Sequence, residues 1–154
     1  MPAKISKILK SEYVKLELKS VQRIDGIREV ASLLTTHPDI LNFQSFYEEL
    51  LARERVESTC LENGVAFPHA RTDHVNNMIL AVGRSAEGVW FDSSNQKVNF
   101  LFVIGTPKRM VADYLTVVGS LARLLKDSGV RQKLAEAKTS DEFLLLLAEA
   151  ESKL

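Results

Sequence analysis

Cysteine is almost absent from this chain: Cys60 stands alone among 154 residues. One thiol can form neither an intramolecular disulfide nor a cysteine-based zinc cluster, and it suits a reducing compartment. An excess of one charge is lacking too. Twenty Lys and Arg are matched by twenty Asp and Glu, whereas a domain that neutralises duplex phosphates normally carries a basic surplus. The balance argues against nucleic acid as the main partner, although a local basic patch is compatible with it. Long apolar runs are also missing. No stretch reaches the roughly 18 to 20 apolar residues of a membrane-spanning helix. The segment Met1 to Glu12 alternates Lys with Ile and Leu and lacks the apolar centre of a secretory signal. The expectation is a cytoplasmic protein with no direct membrane insertion. Repeats, low-complexity tracts and Pro/Gly/Ser-rich linkers are absent, so residues 1–154 read as a single domain.

What is present is the composition of a soluble globular domain with one sizeable core, 45% apolar and 26% charged. Ile5, Ile8 and Leu9 fit one face of a short helix, and Tyr13, Val14, Leu16 and Leu18 suit a short strand. Val21, Ile24, Ile27, Val30, Ala31 and Leu34 recur at helical spacing until Pro38. A second helix starts at Asn42 as cap, with Leu41 and Phe46 placed for a hydrophobic staple and Phe43, Phe46, Tyr47, Leu50 and Leu51 as its buried stripe. It should fade between Arg53 and Val56. Residues 57 to 75 suit short strands and an ordered loop. Met78 to Val82 and Val98 to Ile104 are the clearest strands, and the second is apolar enough to be central and covered on both faces. Gly88, Ser93, Ser94 and Asn95 mark turns between them. Val111, Leu115, Val118, Ala122 and Leu125 then form a helical stripe that Gly129 ends. A short helix covers Val130 to Ala137, and Ser140 caps the last one. This order predicts an α/β fold: a single-domain sandwich, one mixed sheet with helices on both faces.

The chemistry concentrates in Gly64-Val65-Ala66-Phe67-Pro68-His69-Ala70-Arg71. Pro68 fixes its own φ and biases Phe67 to an extended conformation, so His69 follows a strand end at a defined place. A histidine held there can act as a base, a metal ligand or a nucleophile. Taken alone, such a residue is structural more often than not. His74, five residues on, suits no common zinc spacing and reads as a surface loop residue. His37 precedes Pro38 at a helix end, where the last carbonyls are its expected partners. Cys60 reads as a small core residue, and Trp90 and Phe91 as core.

The Gly-x-Ala-x-Pro-His pattern resembles the active-site signature of type-2 IIA proteins of the phosphoenolpyruvate-dependent phosphotransferase system, the fructose/mannitol and nitrogen-regulatory class. Leu51-Ala52-Arg53-Glu54 resembles the family's Arg-Glu pair at the family's spacing from the histidine, and Ser58-Thr59 falls where Ser-Thr is common. Gly88-Val89-Trp90-Phe91-Asp92, Val98 to Ile104 and Pro107 match its turn, Phe-Asp and strand-Pro pattern. The likeness runs from about residue 5 to residue 150.

The resemblance implies that His69 accepts a phosphoryl group from an HPr-like phosphocarrier and passes it to a IIB component, or signals to a regulatory target by its phosphorylation state. Arg53 would clamp the resulting dianion, since a guanidinium is planar and permanently charged. Arg71, Thr59 and Tyr114 are the candidate neighbours of the phosphoryl site. Tyr114 is a departure: it stands where the family usually carries a second histidine, and a phenol can donate a hydrogen bond but cannot share a proton as imidazole does. No metal or organic cofactor is implied. With no transporter or IIB segment in the chain, the nitrogen-regulatory style is favoured over the sugar-specific one. A second reading is a binding module that keeps the fold without transferring phosphoryl groups. A third, hydrolysis with His69 as base, lacks an identifiable carboxylate partner and nucleophile.

Overall fold

The computed structural model describes residues 3–61 and 63–154. The first helix, α1 (Ile5–Ile8), leads through a 3₁₀ turn to the two-residue strand β1 (Val14–Lys15). Helix α2 (Arg23–Ala31) starts two residues later than the apolar spacing predicts. Val21 lies outside it, half exposed, and its carbonyl accepts the Trp90 N–H at 2.7 Å. Asn42 caps α3 (Phe43–Val56) through a 3.0 Å bond from the Ser45 N–H. The expected staple is not formed, because Leu41 is 59% exposed. Its backbone N–H donates to the His74 carbonyl, and Ile40 bridges Val75, so backbone pairing sets the entry angle of α3.

Two long antiparallel strands, β4 (Ile79–Phe91) and β5 (Gln96–Pro107), form the centre of a mixed sheet in the order β1-β4-β5-β2. Strands β2 (Val65–Ala66) and β3 (His69–Thr72) both run parallel to β5 along the same side of it. Gly88 does not mark a turn between strands. It sits in the irregular stretch of β4 between Arg84 and Val89, at φ +93°, where a Cβ would lie 2.8 Å from the Lys97 side chain. Strand β4 therefore continues past the expected end at Val82.

Alternation along β5 places helices on both faces. Leu101 and Gly105 face one way, towards Gly26 of α2 and Phe46 of α3. Phe100 faces the other, with its ring 6.3 Å from Phe143 of α6 (Ser140–Ser152). Helix α4 (Val111–Leu124) packs on β5 and α6, and α5 (Ser128–Glu136) on α6. Strand β5 is buried from Phe100 to Pro107, as a central strand covered on both faces should be.

The later helices differ from the expected pattern in three places. The buried face of α4 is Val117, Ser120, Leu121 and Leu124, while Leu115 is 62% exposed. The helix carries two apolar stripes, and periodicity alone does not choose between them. Gly129 does not end α4. Asp127 caps α5 by accepting from the N–H groups of Gly129 and Val130, which puts Gly129 inside the new helix. Thr139, not Ser140, caps α6, accepting from the Glu142 N–H at 3.0 Å. The Ser140 hydroxyl instead donates to the Val14 carbonyl and ties α6 to β1.

Candidate functional site

His69 owes its position to an interruption of the sheet edge. Ala66 pairs with Leu101 and His69 with Ile104, so β2 and β3 keep one register on β5 across the Phe67-Pro68 gap. Pro68 has no N–H to give, but its carbonyl still accepts from the Ile104 N–H at 2.9 Å. The Phe67 N–H turns away from β5 and donates to the Thr59 carbonyl at 3.2 Å. The Phe67 carbonyl then meets the His69 ring, 2.9 Å from Nδ1. A carbonyl can only accept, so Nδ1 carries the proton and Nε2 keeps its lone pair. Burial pushes the His69 pKa below the ordinary histidine value. The Phe67 hydrogen bond opposes this and the Arg53 charge adds to it, with a net lowering. The imidazole is therefore neutral near pH 7.

His69, Ala70 and Arg71 share a shallow pocket of about 210 Å³ with Glu49 and Arg53. Arg53 arrives from the last turn of α3, where its Nη1 donates to the Glu57 carbonyl at 3.1 Å. Tyr114 approaches from α4, its ring centroid 5.1 Å from that of His69 at an interplanar angle of 40°. Burial raises the phenol pKa and Arg53 opposes this, so the hydroxyl stays protonated at neutral pH. Thr59 does not line the pocket: its hydroxyl donates to Glu54 Oε1 at 2.8 Å.

Two carboxylates flank the site: Glu49, which the sequence did not single out, and Glu54, which it marked only as the second residue of the Arg-Glu pair. Glu49 lines the pocket and accepts a hydrogen bond from the Thr72 hydroxyl, with His74 Nε2 3.9 Å away. Its spacing of four residues from Arg53 on α3 was the available signal. Glu54, 1% exposed, lies beneath the site, bonded to Thr59 and 3.4 Å from Arg23 Nη1. Burial raises its pKa, opposed by Thr59 and Arg23.

The remaining candidates lie elsewhere. The His37 ring does not bond helix carbonyls as expected. Its Nδ1 accepts from the Asp39 N–H at 3.0 Å and the ring stacks on Tyr13, because the chain turns back at Pro38. Cys60 is half buried and bridges Ala66. Among the described residues no group of three His, Cys, Asp or Glu is arranged to hold a metal ion.

A match to the family described as "Phosphoenolpyruvate-dependent sugar phosphotransferase system, EIIA 2" runs over residues 7–150. The chain belongs to this family. It is 32% identical over 146 residues to the fructose-specific EIIA component of Haloferax volcanii, covering 94% of this chain and 95% of that one. It is 30% identical over 142 residues to the fructose-specific EIIABC component of Bacillus subtilis, covering 92% of this chain but only 22% of that longer protein. In structure it is similar to the nitrogen regulatory protein IIA-Ntr of Neisseria meningitidis, with a TM-score of 0.84 and 28% identity over 93% of this chain and 98% of that one. The EIIA type-2 relatives thus include both sugar-specific and nitrogen-regulatory proteins. No helix among the described residues is long and apolar enough to cross a membrane.

Proposed function

We propose that this EIIA type-2 chain, a single domain over residues 1–154, carries a phosphoryl group on Nε2 of His69. The supporting observation is the 2.9 Å contact between Nδ1 and the Phe67 carbonyl, which leaves Nε2 as the unprotonated nitrogen. In the reaction, the Nε2 lone pair attacks the phosphorus of a phosphohistidine on an HPr-like donor. The new P–Nε2 bond forms as the donor's P–N bond breaks, and the electron pair returns to the donor's ring nitrogen. The donor ring, protonated on its other nitrogen, leaves as a neutral imidazole, while the His69 proton stays on Nδ1, hydrogen-bonded to the Phe67 carbonyl, throughout. The phosphoryl group of the product carries about two negative charges at neutral pH. Arg53, which shares the pocket, neutralises them, Arg71 adds positive charge at the rim, and the Tyr114 hydroxyl donates to a phosphoryl oxygen.

Two outputs have precedents among the relatives: a IIB component, of which the B. subtilis protein bears the letter in its name, and a regulatory target. We favour regulation by phosphorylation state, on the fold likeness to the Neisseria protein. Incubation with phosphoenolpyruvate, enzyme I and HPr tests the carrier step by intact-protein mass spectrometry at mildly alkaline pH. The expected result is one acid-labile phosphoryl group that His69→Ala abolishes. No gain, with a control IIA protein phosphorylated in the same tube, overturns it. Rapid transfer from phospho-His69 to a fructose IIB domain would overturn the regulatory preference alone.

Tyr114 supports a second reading, a binding module that keeps the fold without transfer, because a phenol cannot exchange a proton with His69 near neutral pH. Partner binding unchanged in His69→Ala, together with no phosphorylation of the unaltered chain, would favour it.

A further inference from the structure

The ring of His69 is held by a backbone carbonyl, and what holds that carbonyl can be followed inwards. Phe67 makes two opposed contacts: its carbonyl accepts from the imidazole and its N–H donates to the Thr59 carbonyl. Residues 59–61 and 65–67 form a small antiparallel pairing, with Cys60 bridging Ala66 and the Leu61 N–H donating to the Val65 carbonyl at 2.7 Å. At its outer end, the Thr59 hydroxyl is hooked onto Glu54 Oε1. Glu54 is fixed in turn. It belongs to the last turns of α3, is buried, and faces Arg23 of α2, whose Nη1 also donates to the Ser93 hydroxyl at 2.9 Å. Arg23 Nε lies 3.4 Å from the Asp92 carboxylate, close enough for an ion pair.

We propose that Glu54 and Thr59 are positioning residues for His69: a chain of hydrogen bonds from Glu54 through the Thr59 hydroxyl, the Thr59 carbonyl and the Phe67 peptide holds the imidazole as the Nδ1–H tautomer with Nε2 aimed at the pocket. Neither residue touches the phosphoryl group. Arg53 and Glu54 are adjacent in sequence, so one helix turn supplies both the guanidinium at the pocket and the anchor beneath the histidine. A buried carboxylate there has a use that packing does not need, since an apolar side chain of similar volume would fill the space with less loss of solvation. The kinetic part of the claim rests on the carrier reading above, whereas the tautomer part stands without it.

The experiment uses the full chain and needs no phosphoryl donor for its first arm. Long-range ¹H–¹⁵N spectra report the tautomer of each imidazole, and the three histidines are assigned by single substitutions. The unaltered chain and Thr59→Ser, which keeps the hydroxyl, should show His69 with its proton on Nδ1. Thr59→Val and Thr59→Ala should show a mixture with the Nε2–H form. In the second arm, phosphoryl uptake from phospho-HPr should slow by about five- to tenfold in Thr59→Val and Thr59→Ala, in kcat more than in KM, and return in Thr59→Ser. Should Thr59→Val fail to fold, Thr59→Ala carries the test, because Thr59 is only half buried. A folded Thr59→Ala or Thr59→Val with the tautomer of the unaltered chain overturns the proposal, even where its melting temperature falls. An unaltered chain that takes no phosphoryl group overturns the carrier reading, and the first arm still decides the positioning claim.

Discussion

Replacing Arg53 with Gln removes the permanent positive charge that shares the pocket with His69. Its only side-chain hydrogen bond among the described residues runs to the Glu57 carbonyl at the exposed end of α3, so the fold should stand. With a loss of at most about 1 kcal/mol for that bond, the melting temperature of a domain of this size should move by less than about 4 °C. The effect on phosphoryl uptake should be larger. Hydrogen bonds to charged groups contribute about 1.5–3 kcal/mol, so losing the clamp on a dianion should slow uptake from phospho-HPr roughly 10- to 150-fold. Arg53→Lys keeps the charge but not the planar fork, and should fall between the two. A second readout is independent of transfer. The Arg53 charge helps to lower the His69 pKa, so Arg53→Gln should raise it, which an NMR titration of the imidazole would follow. A folded Arg53→Gln with uptake within about twofold of the unaltered chain and an unmoved His69 titration would refute the clamp.

Tyr114→Phe removes only the hydroxyl and should slow uptake by about two- to tenfold in single-turnover measurements; an unchanged rate would place the hydroxyl away from the phosphoryl oxygens. Glu29 is a test of stability. Burial pushes its carboxyl pKa up, but the Lys15 ammonium at 2.8 Å and the N–H groups of Lys19 and Ser20 together draw it down to about 2. A folded pKa below the unfolded value stabilises above the unfolded pKa of about 4.5 and is lost as pH falls through about 2. Glu29→Gln should therefore be destabilised by about 1–3 kcal/mol in urea unfolding at pH 7, with the gap closing between pH 4.5 and pH 2. Gly105→Ala places a Cβ 2.8 Å from Phe46 Cε1 and 3.0 Å from Ile79 Cγ1. It should cost about 1–3 kcal/mol by thermal unfolding, because both neighbours are fully buried and β5 has no room to shift.

Where one residue type has one physical reading, the sequence was legible. Asn42 and the run from Val98 to Ile104 met their expected roles because a cap and a doubly covered strand each have a distinct chemical signature. Where two readings compete, tertiary context decided. Helix α4 has two apolar stripes, and only the position of β5 and α6 selects the one ending in Leu121 and Leu124. Thr139 and Ser140 are both good caps, and Ser140 is drawn off by the Val14 carbonyl. Leu41 lost its staple to a backbone pairing with residues over thirty positions away, which local pattern cannot reveal. The site divides in the same way. The family resemblance named His69, Arg53 and Tyr114 together; His69 and Arg53 line one pocket, and the Tyr114 ring lies beside His69. Glu49 and the Glu54–Thr59 bond depend on side-chain directions that spacing does not encode.

The acceptor that selects the His69 tautomer is main chain, and no point substitution can delete a peptide oxygen. Side chains that pack directly on the ring, unlike Glu54 and Thr59 behind the carbonyl, can therefore change while Nε2 keeps its lone pair. Position 114 is one such place: the Tyr114 ring lies 5.1 Å from the imidazole, and replacing it would leave the Nδ1 acceptor untouched.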